Sequence, residues 1–147
     1  MNMAGRNSGK PVVALTLGDP AGIGPELIAR LLARPDTLAA ANVVLVGEPW
    51  LCAEGQHIAG LEVPTDRVES FSAVRSRADT SRPALLPVDT IRPEQVVRSR
   101  SDAAGGASVL KVLDRCMDAA MAREVDAICF APLNKQAMKL GGLQHED

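Results

Sequence analysis

Two short stretches hold most of the side chains able to do chemistry. The later one, CFAPLNKQAMKLGGLQHED (129–147), places Asn134, Lys135, Gln136, His145, Glu146 and Asp147 behind an apolar run. α/β proteins bind ligands beyond the C-terminal ends of such strands. Lys135 offers a point charge to a phosphate or carboxylate. His145 can donate to, or accept from, a substrate hydroxyl near neutral pH. The same residues also read as ordinary surface, Lys135 as a solvated helix residue and His145 as part of a polar loop. A metal site built from His145, Glu146 and Asp147 alone is disfavoured, because adjacent side chains rarely converge on one ion and no second shell is identifiable.

The earlier stretch, LTLGDPAGIGPELIARLLA (15–33), runs from an apolar segment through Gly18, Gly22 and Gly24 into an amphipathic one. The layout invites comparison with a phosphate loop, but the spacing fits neither G-x-G-x-x-G nor a Walker loop. A helix N-terminus attracts anions through its free N–H groups and dipole. Here Asp19 and Glu26 would occupy that positive end and repel a phosphate. A tight strand-to-helix turn accounts for the pattern, with Pro25 at the first helical position and Gly22 and Gly24 supplying flexible or positive-φ geometry. The functional alternative is a loop whose carboxylates and backbone meet sugar hydroxyls or order a neighbouring loop.

Other candidates are weaker. Ser101, Asp102 and Ser108 flank AAGGA before a helical pattern, where a Ser or Asp serves as a cap. His57 has no acidic or cysteine neighbour at ligand spacing and reads as surface. Cys52, Cys116 and Cys129 are odd in number, widely spaced and without C-x-x-C, which points to buried thiols in a reducing compartment.

The elements that must position these residues alternate in type. Apolar runs at Pro11–Leu17, Asn42–Gly47 and Val125–Ala131 suit strands buried on both faces, and Ala84–Val88 a brief strand. Leu27, Ile28, Leu31 and Leu32 mark one stripe of a helix that starts near Pro25 and stops at Pro35. A short helix is expected over residues 48–60. From Ala107, Val109, Leu110, Leu113, Cys116, Met117, Ala120 and Met121 share a helical face. A helix from about Asn134 to Leu140 closes the pattern. Residues 61–82 are polar with weak periodicity, and residues 1–10 read as a disordered tail. The order predicts an α/β fold, a mixed or mostly parallel sheet with helices on both faces.

Composition narrows the function classes. The 147 residues suffice for one domain, 46% hydrophobic and 23% charged. Aromatic residues make up only 2%, so stacking platforms for bases are lacking. Sixteen basic and eighteen acidic residues give a net charge of −2, which argues against nucleic acid and anionic membranes as partners. With neither a signal h-region nor a spanning apolar run, a cytoplasmic location is expected.

Taken together, LTLGDPAGIGPELI and DAICFAPLNKQAMKLGGLQHED resemble the 4-hydroxythreonine-4-phosphate dehydrogenase family, in the same order along the chain. The resemblance runs from Pro11 to Asp147 and covers under half of a typical family member. It implies an isocitrate/isopropylmalate dehydrogenase-like α/β fold, of which residues 11–147 would be the N-terminal portion of a two-lobed enzyme, incomplete without its C-terminal part. It implies NAD and a divalent metal ion as cofactors, and oxidation of a 4-phosphorylated four-carbon hydroxy acid with possible decarboxylation. The metal polarises the hydroxyl and the nascent carbonyl, and the cofactor takes the hydride.

Carried over residue by residue, the substrate-binding pair maps onto His145 and Glu146. In the vitamin B6 biosynthetic members that pair is His-Thr within G-H-T-E; here Gln144 precedes His145 and Glu146 replaces the threonine. The departure resembles the branch acting on 4-phospho-D-threonate or 4-phospho-D-erythronate. The resemblance places the three metal-binding histidines, the phosphate grip and most NAD contacts downstream of Asp147. No catalytic residue and no metal ligand is therefore expected in this chain. A homodimer is implied for the full-length form, and the isolated fragment is expected to be inactive. The alternatives are a truncated non-catalytic module of the same ancestry, or the pyridoxine-biosynthetic enzyme proper.

Overall fold

The computed structural model of the chain describes residues 9–145. Its first strand, β1 (Val12–Thr16), leads through the glycine loop into α1 (Gly24–Leu32) and α2 (Pro35–Ala40). Then come β2 (Asn42–Gly47), α3 (Pro49–Ala59), β3 (Asp66–Arg67), α4 (Phe71–Arg75) and β4 (Ala84–Pro87). A 3-10 turn at Pro93–Gln95 precedes α5 (Ala103–Met121), β5 (Ala127–Phe130) and α6 (Lys135–Leu140). The strands form one sheet in the order β3-β4-β2-β1-β5, and every pairing is parallel. The α/β expectation is met, on the parallel side of its range.

Strand periodicity sorts the core into two layers. Val12 and Ala14 of β1, Val44 and Val46 of β2, and Ala84 and Leu86 of β4 point to one face. There Phe71 and Val74 of α4 and Val112, Cys116 and Ala119 of α5 cover them. Leu15, Val43 and Leu45 point to the other, beneath Ile28 and Leu32 of α1 and Leu51 and Cys52 of α3. Both faces of the central strands are apolar because both are covered, which is why those runs read as continuous.

Polar side chains close the N-terminal ends of the strands. Asp126 Oδ2 accepts from Val12 N at 2.8 Å and Oδ1 from Arg75 at 3.1 Å. These bonds, the Val12 amide first, hold its carboxyl below the usual range. Buried Asn42 donates to Val74 O at 2.9 Å and accepts from Arg77 at 2.9 Å.

Several local expectations are corrected. Pro35 does end α1, but it also opens α2, since a proline at the first turn forfeits no intrahelical bond. Residues 61–82 contain β3 and α4, elements too short to show a period. α5 begins at Ala103, four residues before its apolar pattern, and buries Val109, Val112, Cys116 and Ala119. Met117 and Met121 of the expected stripe are instead 50% and 86% exposed. β5 is an edge strand with mostly exposed side chains, not a buried one. Of the expected tail, residues 1–8 lie outside the described residues, whereas Lys10 donates to Leu38 O at 2.9 Å and Thr80 Oγ1 at 3.2 Å.

Candidate functional site

β1 has β2 on one side and β5 on the other, so successive connections diverge at the C-terminal ends of β1 and β5. In open α/β sheets that divergence makes a crevice suited to ligands. Both chemistry-bearing stretches leave the sheet there. The glycine loop follows β1, and the Pro132–Lys135 segment follows β5.

The loop and that segment are locked together by backbone. Asp19 N donates to Pro132 O at 3.2 Å, and Ala131 N to Thr16 O at 3.4 Å. Gly18 has φ +73°, and a Cβ on it would stand 2.6 Å from Pro132 O. The positive φ thus falls on Gly18, not on Gly22 or Gly24. Gly24 is required for a different reason: its Cβ would strike Leu17 O at 2.0 Å.

The carboxylates of the loop are committed to the loop. Asp19 Oδ1 accepts from Ala21 N at 2.9 Å, and its carbonyl accepts from Gly22 N at 3.0 Å. Glu26 sits in the first turn of α1 and pairs with Arg30 at 2.9 Å. The N–H groups of Ala21 and Gly22 are therefore used internally and do not cradle a pyrophosphate. The segment before α5 straps the loop from outside, Ser99 N to Ala21 O at 2.9 Å and Arg98 to Gly22 O at 3.1 Å.

Asp102 caps α5 through Gly105 N at 2.8 Å, as its sequence position implied. Asn134 does the same for α6 through Ala137 N at 3.0 Å, and its amide donates to Ser101 Oγ at 2.6 Å. The two helix starts are thereby joined beside the crevice. Lys135 and Gln136 are exposed on the first turn of α6, and His145 is exposed at the end of the described residues. Glu146 lies outside them. His57 is exposed on the last turn of α3.

Of a polar cluster under the loop the sequence singles out Ser108 alone, as a cap, whereas Asp102 is the cap and the Ser108 hydroxyl meets Thr90 from within α5. Glu48, 8% exposed, accepts from Thr90 N and, at 2.9 Å, from Ile91 N. Thr90 Oγ1 and Ser108 Oγ are 2.7 Å apart. Each of Thr16, Glu48 and Thr90 lies at or just past a strand's C-terminal end, which is the only shared signal they offer.

Residues 39–147 match the family described as pyridoxal phosphate biosynthetic protein PdxA. The chain belongs to the PdxA family. A Pasteurella multocida protein, provisionally named a 4-hydroxythreonine-4-phosphate dehydrogenase, is 39% identical over 94% of this chain and 41% of its own length. A Cupriavidus necator D-threonate 4-phosphate dehydrogenase is 27% identical over 90% of this chain and 39% of its own. The crystal structure of a Burkholderia phymatum 4-hydroxythreonine-4-phosphate dehydrogenase superposes with a TM-score of 0.82 at 28% identity, covering 94% of this chain and 41% of that one. This PdxA-family chain thus spans about 40% of the length of such relatives, in their N-terminal part.

Among the described residues, no three of His, Cys, Asp and Glu come together as a metal-holding group. These residues do not by themselves fit a divalent ion. No helix among them is long and apolar enough to cross a membrane.

Proposed function

We propose that this sequence forms part of an NAD- and divalent-metal-dependent dehydrogenase of a 4-phosphorylated four-carbon hydroxy acid. 4-Phospho-D-threonate or 4-phospho-D-erythronate is preferred over 4-phosphohydroxy-L-threonine. The observation that carries the reading is the family match over residues 39–147, which includes the reactive stretch after β5. The names of the relatives supply the substrate class.

In this reading the chain's own residues shape and orient. The Gly18–Gly24 loop and the Pro132–Asn134 segment form the floor of the crevice as one backbone-bonded unit. Asn134 fixes the start of α6, which presents Lys135 to solvent as a point charge for an anionic group. His145 bonds a substrate hydroxyl, and Glu146 favours a hydroxyl or ammonium donor over an acceptor. NAD would accept the hydride, with its contacts and the metal ligands supplied from outside these residues. The active form is a cytoplasmic homodimer.

The test is NADH formation from NAD with each of the three substrates and a divalent metal. It is run on the 147-residue chain and on any longer native polypeptide that carries it. We expect chelator-sensitive turnover only from the longer form. There, His145→Ala raises KM without loss of fold, and Glu146→Thr moves preference toward the amino-bearing substrate. No turnover of any substrate by the longer form overturns the dehydrogenase reading. A native product of only this length, without turnover, supports the second reading, a non-catalytic module of dehydrogenase ancestry.

A further inference from the structure

Thr16 ends β1 on the face covered by α5, immediately before the glycine loop. It is 2% exposed, and its Oγ1 is buried with no hydrogen-bond partner among the described residues. A buried hydroxyl left unpaired forfeits its hydration without compensation, so such a group calls for a partner.

Thr16 lines a cavity of about 20 Å³ between the ends of β1 and β2 and the first turns of α5. The lining is also polar at Glu48, Thr90 and Ser108 and apolar at Val109 and Val112. Glu48 Oε1 takes both the Thr90 and Ile91 amides, which leaves Oε2 for another donor. The Thr90–Ser108 hydroxyl pair spends one proton internally and keeps one proton and spare lone pairs. A water molecule needs roughly 10–15 Å³ of such space and two to four polar partners. The chamber has that volume, and Glu48, Thr90 and Ser108 stand beside Thr16 as polar residues of its lining.

We propose that this chamber is a binding site for one water molecule, held by the Thr16 hydroxyl, the Glu48 carboxylate and the Thr90–Ser108 pair. The water accepts from Thr16 Oγ1 and donates to Glu48 and to a hydroxyl of the pair. It ties the last residue of β1, and so the root of the glycine loop, to the second turn of α5 and to the segment after β4. The glycine loop is therefore positioned from beneath by a solvent bridge and from above by the Arg98–Ser99 strap. The inference stands independently of the dehydrogenase reading.

The test uses the 147-residue chain, a crystal structure resolving ordered water, and denaturant melts of Thr16→Val, Ser108→Ala and the double variant. We expect density for one water within hydrogen-bond distance of Thr16 Oγ1. Thr16→Val keeps the shape and removes the hydroxyl, and should lower the folding equilibrium constant about tenfold. The two substitutions should be non-additive, because each removes a partner of the same water. A Thr16→Val chain as stable as the parent or more so, or strict additivity, overturns the proposal, since an unbridged hydroxyl is better replaced by a methyl. If Thr16→Val does not fold, the density in the parent crystal decides alone, and a chamber without a water overturns it. Stabilisation that rises with sodium or potassium at fixed ionic strength overturns it in favour of a cation.

Discussion

At the scale of single residues, the three thiols show how burial decides reactivity. Cys52, on the buried face of α3, is pushed up to about 12 by burial, and Cys116, on the buried face of α5, to about 11. Cys129 is exposed on β5. The thiolate is the reactive form, so the two buried groups are both hidden and protonated. At pH 8 a disulfide reagent should modify one thiol per folded chain rapidly and all three in denaturant, and Cys129→Ser should remove the rapid phase. Two rapid thiols in the folded parent would contradict the packing of α3 or α5. The buried pair also sets an alkaline limit. An unfolded chain loses these protons near the ordinary 9.0, whereas the folded chain keeps them until about 11 and 12. The unfolded state therefore binds fewer protons as pH rises from 9 to 12, and stability falls across that window. Below 9 these thiols contribute no pH dependence. The sequence points to buried thiols at all three positions, and Cys129 departs from that expectation because β5 stands at the open edge of the sheet. The caps at Asp102 and Asn134 follow local rules and differ in how openly the sequence shows them. Asp102 stands ahead of AAGGA as an evident cap, whereas Asn134 first attracts attention as a reactive residue. Thr16, Glu48, Thr90 and Ser108 come from four separate segments and meet only in the fold.

Among the elements, the close contact of α5 with α6 is the most demanding. A Cβ on Gly106 would stand 1.7 Å from Ala137 O, and one on Gly141 2.3 Å from Ala107 N. The helices touch backbone to backbone beside the crevice, which holds Asn134 and Lys135 in place. Gly106→Ala should therefore destabilise the chain by at least about 1–3 kcal/mol in a denaturant melt, even though alanine favours helix over glycine. Gly105→Ala should be nearer neutral, because the tightest neighbour of its Cβ would be the Asp102 carboxylate at 3.3 Å, with Pro20 and Asp19 at ordinary contact distance. Equal effects at the two positions would mean that helix propensity, not the α6 contact, governs this turn. The same elements show what sequence reading could and could not supply. β1, β2, β4, α1 and α3 announce themselves because period, length and flanking Pro or Gly all agree. α2, β3 and α4 are too short to carry a period. The buried stripe on α5 differs from the expected one because two apolar lines run along the helix, and only the sheet decides which one is buried.

For the whole molecule, the two edges of the sheet are unlike. β3, at one edge, is two residues long and carries Asp66 and Arg67, features that discourage further pairing. β5, at the other, presents Ala127, Cys129 and Phe130 largely exposed, with Phe130 at 58%. Met117, Met121 and Leu140 add exposed apolar surface elsewhere on α5 and α6. A net charge of −2 over 147 residues gives little electrostatic protection against association. An apolar strand with one unpaired side is a template for pairing with another chain, and the 147-residue chain should therefore self-associate through β5 as its concentration rises. Sedimentation velocity over a concentration series measures this directly. Phe130→Lys should shift the population toward monomer while leaving the melting temperature of the monomer nearly unchanged, since the side chain is more exposed than buried. Monomer at every concentration for both chains would show that the β5 edge is already protected. Association that persists in the lysine variant would move the contact to the methionine-bearing face of α5. The comparison also bears on the proposed homodimer. A contact that this substitution abolishes uses the sheet edge, whereas an active-site dimer should bury the crevice at the ends of β1 and β5.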